Sequence, residues 1–255
     1  MKYKIVAHTD IGIRKGTNQD AVLLKTAKTD VGEIALGAVC DGMGGLAKGE
    51  VASSAVIRML SEWFDSTLPK LLYGGLRMEI LQESWENLIF YANAKILSYG
   101  QKKKCRMGTT LVVLLIVGKN YYLCNVGDSR AYCLHKKITL LTRDQTLVQR
   151  EIDAGRLSVV EAERDERRNV LLQCIGASRC VKPDYYTGIV HSGSIFLLCS
   201  DGFRRKISQQ ELYLSLAPRK IKNENSMKKG LLYLTEVNKS RLETDNISAG
   251  LIRVD

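Results

Sequence analysis

Five aspartates in this sequence share one setting, in which a strand-like apolar run meets a turn containing Gly, Asn or Ser. They are Asp20, Asp41, Asp128, Asp201 and Asp245. Taken singly, an aspartate at such a position is a turn residue or a cap. Five of them form a pattern that turn chemistry alone would rarely give. Carboxylates that converge from several strands would create an oxygen-rich, negative site suited to Mg²⁺ or Mn²⁺. Two such ions are a recurrent device for hydrolysing phosphate esters.

The segment around Asp41 has the clearest local pattern. Apolar residues at 34–40 lead into Asp41 and then into Gly42-Met43-Gly44-Gly45, which predicts a buried strand that enters a tight turn. With Leu46 and Ala47, the same glycines also fit the G-x-G-x-x-A pattern of a dinucleotide site. That alternative is weak because Asp41 would place negative charge beside the pyrophosphate. In addition, the first strand of a nucleotide-binding fold usually opens its domain.

A covalent nucleophile is not predicted. Gly127-Asp128-Ser129-Arg130-Ala131 superficially resembles the nucleophile elbow of serine hydrolases, but that motif requires a helix after the serine. Here residues 131–134 have the character of a strand. Cys105 and Cys174 lack the arginine, six residues later, that a C-x₅-R nucleophile would need.

Composition narrows the class of protein. The chain has 255 residues, of which 45% are hydrophobic and 25% charged, so we expect a packed core. The longest apolar run, 111–117, is too short to cross a membrane, and the first residues lack a signal-peptide pattern. We therefore expect a cytoplasmic protein. Its seven cysteines contain no C-x-x-C pair and its three histidines no H-E-x-x-H, which favours buried reduced thiols over zinc ligands.

The net charge of +11 has two readings. Basic clusters lie at 102–106 and 204–206, but no aromatic-rich basic stripe or recognition-helix motif accompanies them. We therefore expect no nucleic-acid partner. Most of the excess charge is predicted to be solvated surface, with attraction for anionic substrates as a secondary effect.

Hydrophobic periodicity predicts the elements that must position the aspartates. Strands are predicted at 3–9, 21–24, 33–40, 111–117, 121–126, 130–134, 138–141, 185–190, 194–199 and 247–254. Helices are predicted at about 47–64, 76–99, 147–154, 158–164, 208–215 and 227–238. Short turns join the four strands between 111 and 141, which predicts an antiparallel meander. The charged segment 142–180 is predicted to be an insertion over the sheet edge.

Eight short motifs resemble, in order and spacing, those of the metal-dependent protein serine/threonine phosphatases of type 2C, the PPM family, in their short bacterial form. They are Thr17-Asn18-Gln19-Asp20-Ala21, Asp41-Gly42-Met43-Gly44-Gly45, Gly108-Thr109-Thr110, Asn125-Val126-Gly127-Asp128-Ser129-Arg130, Leu141-Thr142-Arg143-Asp144, Arg168-Asn169-Val170, Cys199-Ser200-Asp201-Gly202 and Asp245-Asn246-Ile247. The resemblance covers nearly the whole chain. It implies an α+β fold, an αββα sandwich of two antiparallel sheets flanked by helices. It further implies a single type 2C phosphatase domain over 1–255, with a flap at about 142–180 that either shapes substrate choice or is only a structural cover.

The resemblance also implies a metal centre of two to three Mn²⁺ or Mg²⁺ ions. Asp41 would bridge two ions and the Gly42 carbonyl would help to hold one, while Asp20 would act through metal-bound water. Asp201 and Asp245 would complete this pair, and Asp128 with Asp201 would hold a third ion. Asn246 would be a supporting neighbour. The implied catalytic residues are Asp20, Asp41, Asp201 and Asp245.

Three positions depart from the family pattern. Met43 stands where eukaryotic relatives carry a histidine that could act as general acid, and methionine cannot donate a proton. The phosphate-binding arginine expected five residues before Asp20 is replaced by Lys15, with Arg14 one residue earlier. Either residue could bind phosphate, and we favour Arg14 because lysine lacks a bidentate fork. Gln145 stands where histidine is common.

The resemblance implies an enzyme that hydrolyses phosphoserine and phosphothreonine in proteins through a water that bridges two cations. Its partners would be phosphorylated proteins, including a bacterial Ser/Thr kinase that it opposes, and we expect a monomer. An alternative is a catalytically silent phosphoprotein-binding regulator of the same fold, against which the retention of all five aspartates argues. A place in a sigma-factor control pathway is a further alternative.

Overall fold

Two five-stranded antiparallel sheets lie face to face in the computed structural model, which describes residues 1–43 and 48–255. In chain order, the strands are β1 (Tyr3–Asp10), β2 (Ala21–Thr29), β3 (Gly32–Cys40), β4 (Gly42–Met43), β5 (Gly108–Thr109), β6 (Leu111–Val117), β7 (Asn120–Val126), β8 (Arg130–Leu134), β9 (Ile138–Leu140), β10 (Asp184–Ile189), β11 (Ile195–Cys199) and β12 (Ile247–Val254). One sheet has the order β1-β12-β11-β8-β9 and the other β10-β7-β6-β3-β2. Strands β4 and β5 form a separate short pair.

Helices cover the outer faces of the sheets. They are α1 (Gly49–Ser66), α2 (Leu68–Tyr73), α3 (Met78–Lys103), α4 (Leu147–Asp153), α5 (Val159–Arg164), α6 (Asp201–Arg204), α7 (Gln209–Leu216) and α8 (Glu224–Ser240), with a 3₁₀ turn at Glu166–Asn169. Helices α1 to α3 pack on the sheet that contains β3, and α6 to α8 pack on the sheet that contains β12. The predicted αββα sandwich is confirmed.

Alternation along the central strands explains the layers. In β3, Leu36 and Ala38 face the helices, whereas Ala35 and Val39 face the opposite sheet. In β11, Leu197 contributes to the helix-side core of its own sheet. Such strands are apolar on both faces because both faces are covered. The continuous apolar runs in the sequence follow from this double burial.

The predicted meander is wrong at its midpoint. Strands β6 and β7 pair with each other, and β8 pairs with β9, but β7 and β8 belong to different sheets. The turn between them, where Gly127 has φ of +99°, carries the chain from one sheet to the other. A short turn and strand periodicity do not distinguish a hairpin from such a crossover. Asp128 therefore lies at the junction of the two sheets.

Other predictions differ in detail. Helix α2 was not predicted, and β2 extends five residues beyond the predicted strand 21–24. The predicted start of the first helix at Ala47 and the glycine motif at 44–47 lie outside the described residues. All seven cysteines are free, and four of them are buried. In the described part of the chain, no helix has the length and apolar character needed to cross a membrane.

Candidate active site

The five aspartates come from both sheets. Asp20 directly precedes β2 and Asp41 directly follows β3, whereas Asp128 lies in the crossover from β7 to β8. Asp201 begins α6 two positions after the end of β11, and Asp245 lies two residues before β12. The charges of Asp20, Asp128, Asp201 and Asp245 all act on Asp41. The structure therefore gathers all five carboxylates at one end of the sandwich.

Asp41 lies within reach of the negative charges of all four other aspartates. Burial raises its pKa well above the ordinary value, and the negative charges of Asp20 and Asp201 add to the effect. Burial likewise raises the pKa of Asp20 to about 7. Contacts with the Ser248 and Ser200 hydroxyls oppose this shift, and the charge of Asp201 adds to it. Buried carboxylates that repel one another favour the protonated form or a bound cation.

Asp128 and Asp201 lie in a different electrostatic setting. Burial and the charge of Asp201 raise the pKa of Asp128 to about 7, while Arg204 opposes the shift. Burial also raises the pKa of Asp201, against the opposing charges of Arg205 and Arg204. Two arginines thus partly offset the repulsion on this side of the cluster.

Two glycines allow the aspartate-bearing segments to approach closely. A Cβ on Gly42 would lie 2.3 Å from the carbonyl oxygen of Gln19, and a Cβ on Gly202 would lie 2.2 Å from that of Asn246. Any side chain at either position would therefore clash with backbone. The Asp-Gly pairs at 41–42 and 201–202 let each aspartate sit against the next segment of the site.

Asn246 fastens the loop that carries Asp20. Its Oδ1 accepts a hydrogen bond from the Gln19 amide at 2.9 Å. Its Nδ2 donates to the carbonyls of Ile11 and Thr17, at 2.9 and 3.2 Å. The side chain is only 3% exposed. Asn246 therefore supports the site through the backbone around Asp20.

Thr110 holds the backbone of Asp41 in place through hydrogen bonds. The motif Gly108-Thr109-Thr110 includes this residue, but the sequence does not indicate its role. The Thr110 Oγ1 accepts from the Asp41 amide at 2.9 Å, and the Thr110 amide donates to the Asp41 carbonyl at 2.9 Å. The hydroxyl of Thr110 also lies 2.7 Å from that of Ser129, next to Asp128. This buried pair connects two aspartate-bearing segments that come from different parts of the chain.

Gln145 has a structural role that sequence reasoning did not identify. Its side-chain Oε1 accepts a hydrogen bond from the backbone N–H of Gly127 at 2.8 Å. Its backbone N–H donates to the Gly127 carbonyl at 2.9 Å. Its Nε2 donates to Asp184 at 2.9 Å. Gln145 therefore ties the turn before Asp128 to segment 142–180. No sequence signal could have identified these long-range partners.

Lys15 and Arg14 differ in their contacts. The Lys15 Nζ lies 2.9 Å from Asp245 Oδ1, and its side chain remains 42% exposed. Burial lowers the pKa of Lys15, but contact with Asp245 and the charges of Asp41 and Asp201 outweigh it and raise the pKa above its ordinary value. Arg14 is exposed. The structure thus brings Lys15 to the cluster, and the identity of the phosphate anchor stays a prediction.

The donor set fits a hard divalent cation. Asp20 Oδ2 and Asp201 Oδ1 are buried and have no hydrogen-bond partner in the described residues. Such orphaned oxygens normally carry a partner, and carboxylate oxygens are the ligands that Mg²⁺ and Mn²⁺ prefer. Within 1–43 and 48–255, no group of three or more His, Cys, Asp or Glu side chains could by itself hold an ion.

A cleft of about 810 Å³ opens beside the cluster. Asp128 and Asp201 line it together with Ile152 of α4, Ala162 of α5 and Ile207 after α6. Segment 142–180 therefore forms one wall of a cavity that reaches the carboxylates. Both apolar and charged side chains could contact a ligand there.

Comparisons with known proteins agree on the family. The protein phosphatase 2C family model matches residues 12–231. The serine/threonine phosphatase stp of Listeria monocytogenes is 30% identical over 85% of this chain and 83% of its own. The Streptococcus agalactiae serine/threonine phosphatase structure superposes with a TM-score of 0.85, 28% identity and complete coverage of both chains. The catalytic domain of the phosphatase PstP, in complex with two manganese ions, has a TM-score of 0.78 and 27% identity over 99% of each chain. As its motifs predicted, the chain belongs to the protein phosphatase 2C family.

Proposed function

We propose that this chain is a divalent-metal-dependent protein phosphatase that removes phosphate from phosphoserine and phosphothreonine. The observation that carries the proposal is the aspartate cluster, in which two buried oxygens, Asp20 Oδ2 and Asp201 Oδ1, have no hydrogen-bond partner in the described residues. Family membership and relatives named as serine/threonine phosphatases support the same reaction.

The proposed cofactor is Mn²⁺ or Mg²⁺, with two to three ions by resemblance. PstP with its two manganese ions supports a divalent metal in a related fold. The residues that the family resemblance assigns to the ions are Asp20, Asp41, the Gly42 carbonyl, Asp128, Asp201 and Asp245. Bound ions would supply Lewis acidity to the phosphoryl group and lower the pKa of a nearby water to about neutral.

The chain's own residues would place the substrate and keep the carboxylates in position. Thr110 and Asn246 hold the backbones around Asp41 and Asp20, so the carboxylates stay aimed inward without the substrate. Arg14 would bind the phosphate of the substrate, with Lys15 as the alternative. Met43 offers no proton for the leaving alkoxide of the serine or threonine, which would take one from solvent and depart as the hydroxyl.

The cleft beside the cluster would receive the protein segment that carries the phosphate. Its mixed lining, with Ile152 and Arg168 on one wall, suits a peptide more than a small polar ester. In this proposal, 1–255 is a single phosphatase domain and residues 142–180 act as its flap. The partners would be phosphorylated proteins, including a Ser/Thr kinase. We propose that the protein is a monomer and acts in the cytoplasm.

The test is hydrolysis of a phosphothreonine peptide in EDTA, in Mg²⁺ and in Mn²⁺. We expect turnover only with metal, and we expect Asp41→Asn and Asp201→Asn to lower kcat by about 10³-fold or more, because each removes a charged ligand from the centre. Asp30→Asn, in the exposed turn between β2 and β3, makes the same chemical change away from the site and should retain activity. A folded wild-type protein with no turnover in any metal, yet able to bind the phosphopeptide, would instead support the silent regulator.

A further inference from the structure

Two consecutive arginines at the end of α6 point into the aspartate cluster. The side chains of Arg204 and Arg205 are only 15% and 20% exposed. Arg204 Nη2 donates to the Asp128 carbonyl at 3.0 Å and lies 3.9 Å from the Asp128 carboxylate. Arg205 forms an ion pair with Asp201 Oδ2 and lies 3.8 Å from Asp245 Oδ2.

Arg204 is fixed from behind by a second ion pair. Its Nη2 lies 3.3 Å from Asp144 Oδ2. Asp144 is held in turn by Arg130, whose Nε and Nη2 donate to the two carboxylate oxygens at 2.8 and 2.7 Å. A bidentate pair of this kind fixes the plane of the carboxylate. Arg204 therefore rests on a rigid acceptor and cannot easily leave Asp128.

Arg205 is fixed by Glu243, a buried acid outside the predicted ligand set. Arg205 Nη1 lies 3.3 Å from Glu243 Oε1, and the Glu243 side chain is 1% exposed. The same oxygen accepts from the amides of Thr244 and Asp245 at 2.8 and 3.0 Å. Removing either partner would leave an uncompensated buried charge, so Glu243 keeps the Arg205 guanidinium beside Asp201.

These contacts divide the oxygens of Asp201 between two directions. Its Oδ2 is paired with Arg205, whereas Oδ1 is buried without a hydrogen-bond partner in the described residues. A guanidinium does not lose its proton in a protein. A divalent ion shared by Asp128 and Asp201 Oδ2 would therefore lie near two permanent positive charges, Arg204 beside Asp128 and Arg205 beside Asp201. An ion on the Oδ1 side would meet an open ligand.

We infer that Arg204 and Arg205 take the place of a divalent cation between Asp128 and Asp201. The chain then holds its ions through Asp20, Asp41, the Gly42 carbonyl, Asp201 Oδ1 and Asp245, and Asp128 is an arginine partner and not a metal ligand. This inference rests on the proposed function, since it assumes that the cluster binds divalent ions.

The number of bound Mn²⁺ ions tests this inference without reference to activity. The free Mn²⁺ signal in electron paramagnetic resonance gives the ions bound per chain as Mn²⁺ is titrated into the full-length, folded protein. We expect about two ions in the wild type and the same number in Asp128→Asn, with dissociation constants within about twofold, because Asp128 would contribute no ligand. A third ion in the wild type that Asp128→Asn removes would overturn the inference.

The arginine double variant supplies the converse test. Arg204→Gln with Arg205→Gln should gain one weakly bound ion, and adding Asp128→Asn should remove it again. Lys206→Gln, which removes one positive charge from the exposed neighbouring residue, should gain none. A folded double variant that binds no additional ion would overturn the inference. If the double variant does not fold, the comparison of wild type with Asp128→Asn still decides, and a wild type that binds no Mn²⁺ would overturn the proposed function and this inference together.

Discussion

The two sides of the aspartate cluster use one residue type in two electrostatic settings. On the Asp41 side, which comprises Asp20 and Asp41, neutral groups of Thr110 and Asn246 fix the backbone. On the Asp201 side, which comprises Asp128 and Asp201, the guanidinium groups of Arg204 and Arg205 contact the aspartates directly. In the described residues, neither Asp20 nor Asp41 forms an ion pair with a basic side chain.

The difference shows where the fold leaves room for an external cation. On the Asp41 side, burial and four negative neighbours raise the pKa of Asp41 with no opposing cation among the main causes. On the Asp201 side, arginines already oppose the effect of burial. A protein can neutralise a buried carboxylate with its own side chain or with a bound ion. In the described residues, basic side chains pair with the aspartates of the Asp201 side and not with those of the Asp41 side, which favours the Asp41 side as the main place for the proposed metal.

Among the changes that leave all five carboxylates in place, loss of the Thr110 hydroxyl should produce the largest effect, because it removes a hydrogen bond that holds the Asp41 backbone. Thr110→Val keeps the side-chain shape but leaves the buried Asp41 amide without its acceptor. Displacing a supporting hydrogen bond of a metal ligand typically costs about 10- to 100-fold in metal affinity or activity. We expect a decrease of that size in kcat for a phosphothreonine peptide, together with weaker Mn²⁺ binding by titration.

Thr187→Val is the matched control for this prediction. The Thr187 hydroxyl donates to the Tyr121 carbonyl at 2.9 Å on the exposed edge strand β10, so the same methyl-for-hydroxyl exchange occurs far from the aspartates in sequence and in sheet position. Its kcat and Mn²⁺ affinity should match those of the wild type. Equal losses in both variants would mean that general stability, and not the placement of Asp41, causes the effect.

The contrast between the two sides also separates what the sequence predicted from what it could not predict. The five aspartates and their strand-end positions follow from local patterns, because an apolar run that ends at a turn is visible in the sequence itself. Local patterns do not predict that Arg204 and Arg205 point toward the aspartates. The cluster at 204–206 was interpreted mainly as solvated surface, yet only Lys206 in it is exposed.

The partners that hold the two arginines are distant in sequence. Arg204 contacts Asp144, which is 60 positions away, and Arg205 contacts Glu243, which is 38 positions away. Charge counts give no information about such pairs, because they depend on how the two sheets and their helices meet. The predicted meander is wrong at Gly127 for a similar reason. Periodicity indicates which face of a strand is buried, but not the sheet to which the strand belongs. Local chemistry was therefore predictable, whereas long-range pairing was not.

The basic residues near Asp245 give a second way to sharpen the comparison. Lys15 is already paired with Asp245 at 2.9 Å, so it resembles the arginines of the Asp201 side, while exposed Arg14 remains able to bind a phosphate. We expect Arg14→Ala to raise KM for a phosphopeptide by about 10-fold, the equivalent of about 1.4 kcal/mol from a charged hydrogen bond. Lys15→Ala should raise KM by less than about threefold.

Arg14→Lys distinguishes charge from geometry at this position. It keeps the positive charge but loses the bidentate fork, so KM should lie between those of the wild type and Arg14→Ala. Steady-state kinetics with one phosphothreonine peptide measures all three variants. A larger increase in KM for Lys15→Ala than for Arg14→Ala would assign the phosphate to Lys15.

The smallest expected effect is a change in the stability of the metal-free protein with pH. Burial raises the folded-state pKa of Asp20 to about 7, above the unfolded value of about 3.9. Folding therefore favours the protonated carboxyl. The contribution of Asp20 to stability is greatest below about pH 4 and decreases as the pH rises, until it levels off above about pH 7. This direction is opposite to that of a carboxylate in a salt bridge, because no side-chain cation is paired with Asp20 in the described residues.

Asp20→Asn removes this pH dependence because an amide does not ionise. In EDTA at pH 8, the variant should melt about 2–4 °C above the wild type, since relief of even a tenfold change in proton affinity corresponds to about 1.4 kcal/mol. At pH 4 the two melting temperatures should converge, and with Mn²⁺ at pH 8 the order should reverse because only the wild type keeps the charged ligand. Thermal melts followed by circular dichroism measure each case, with exposed Asp30→Asn as the control. A difference between Asp20→Asn and the wild type that is the same at pH 4 and pH 8 would show that ionisation of Asp20 does not destabilise the folded protein, and the contrast between the two sides of the cluster would fail at Asp20.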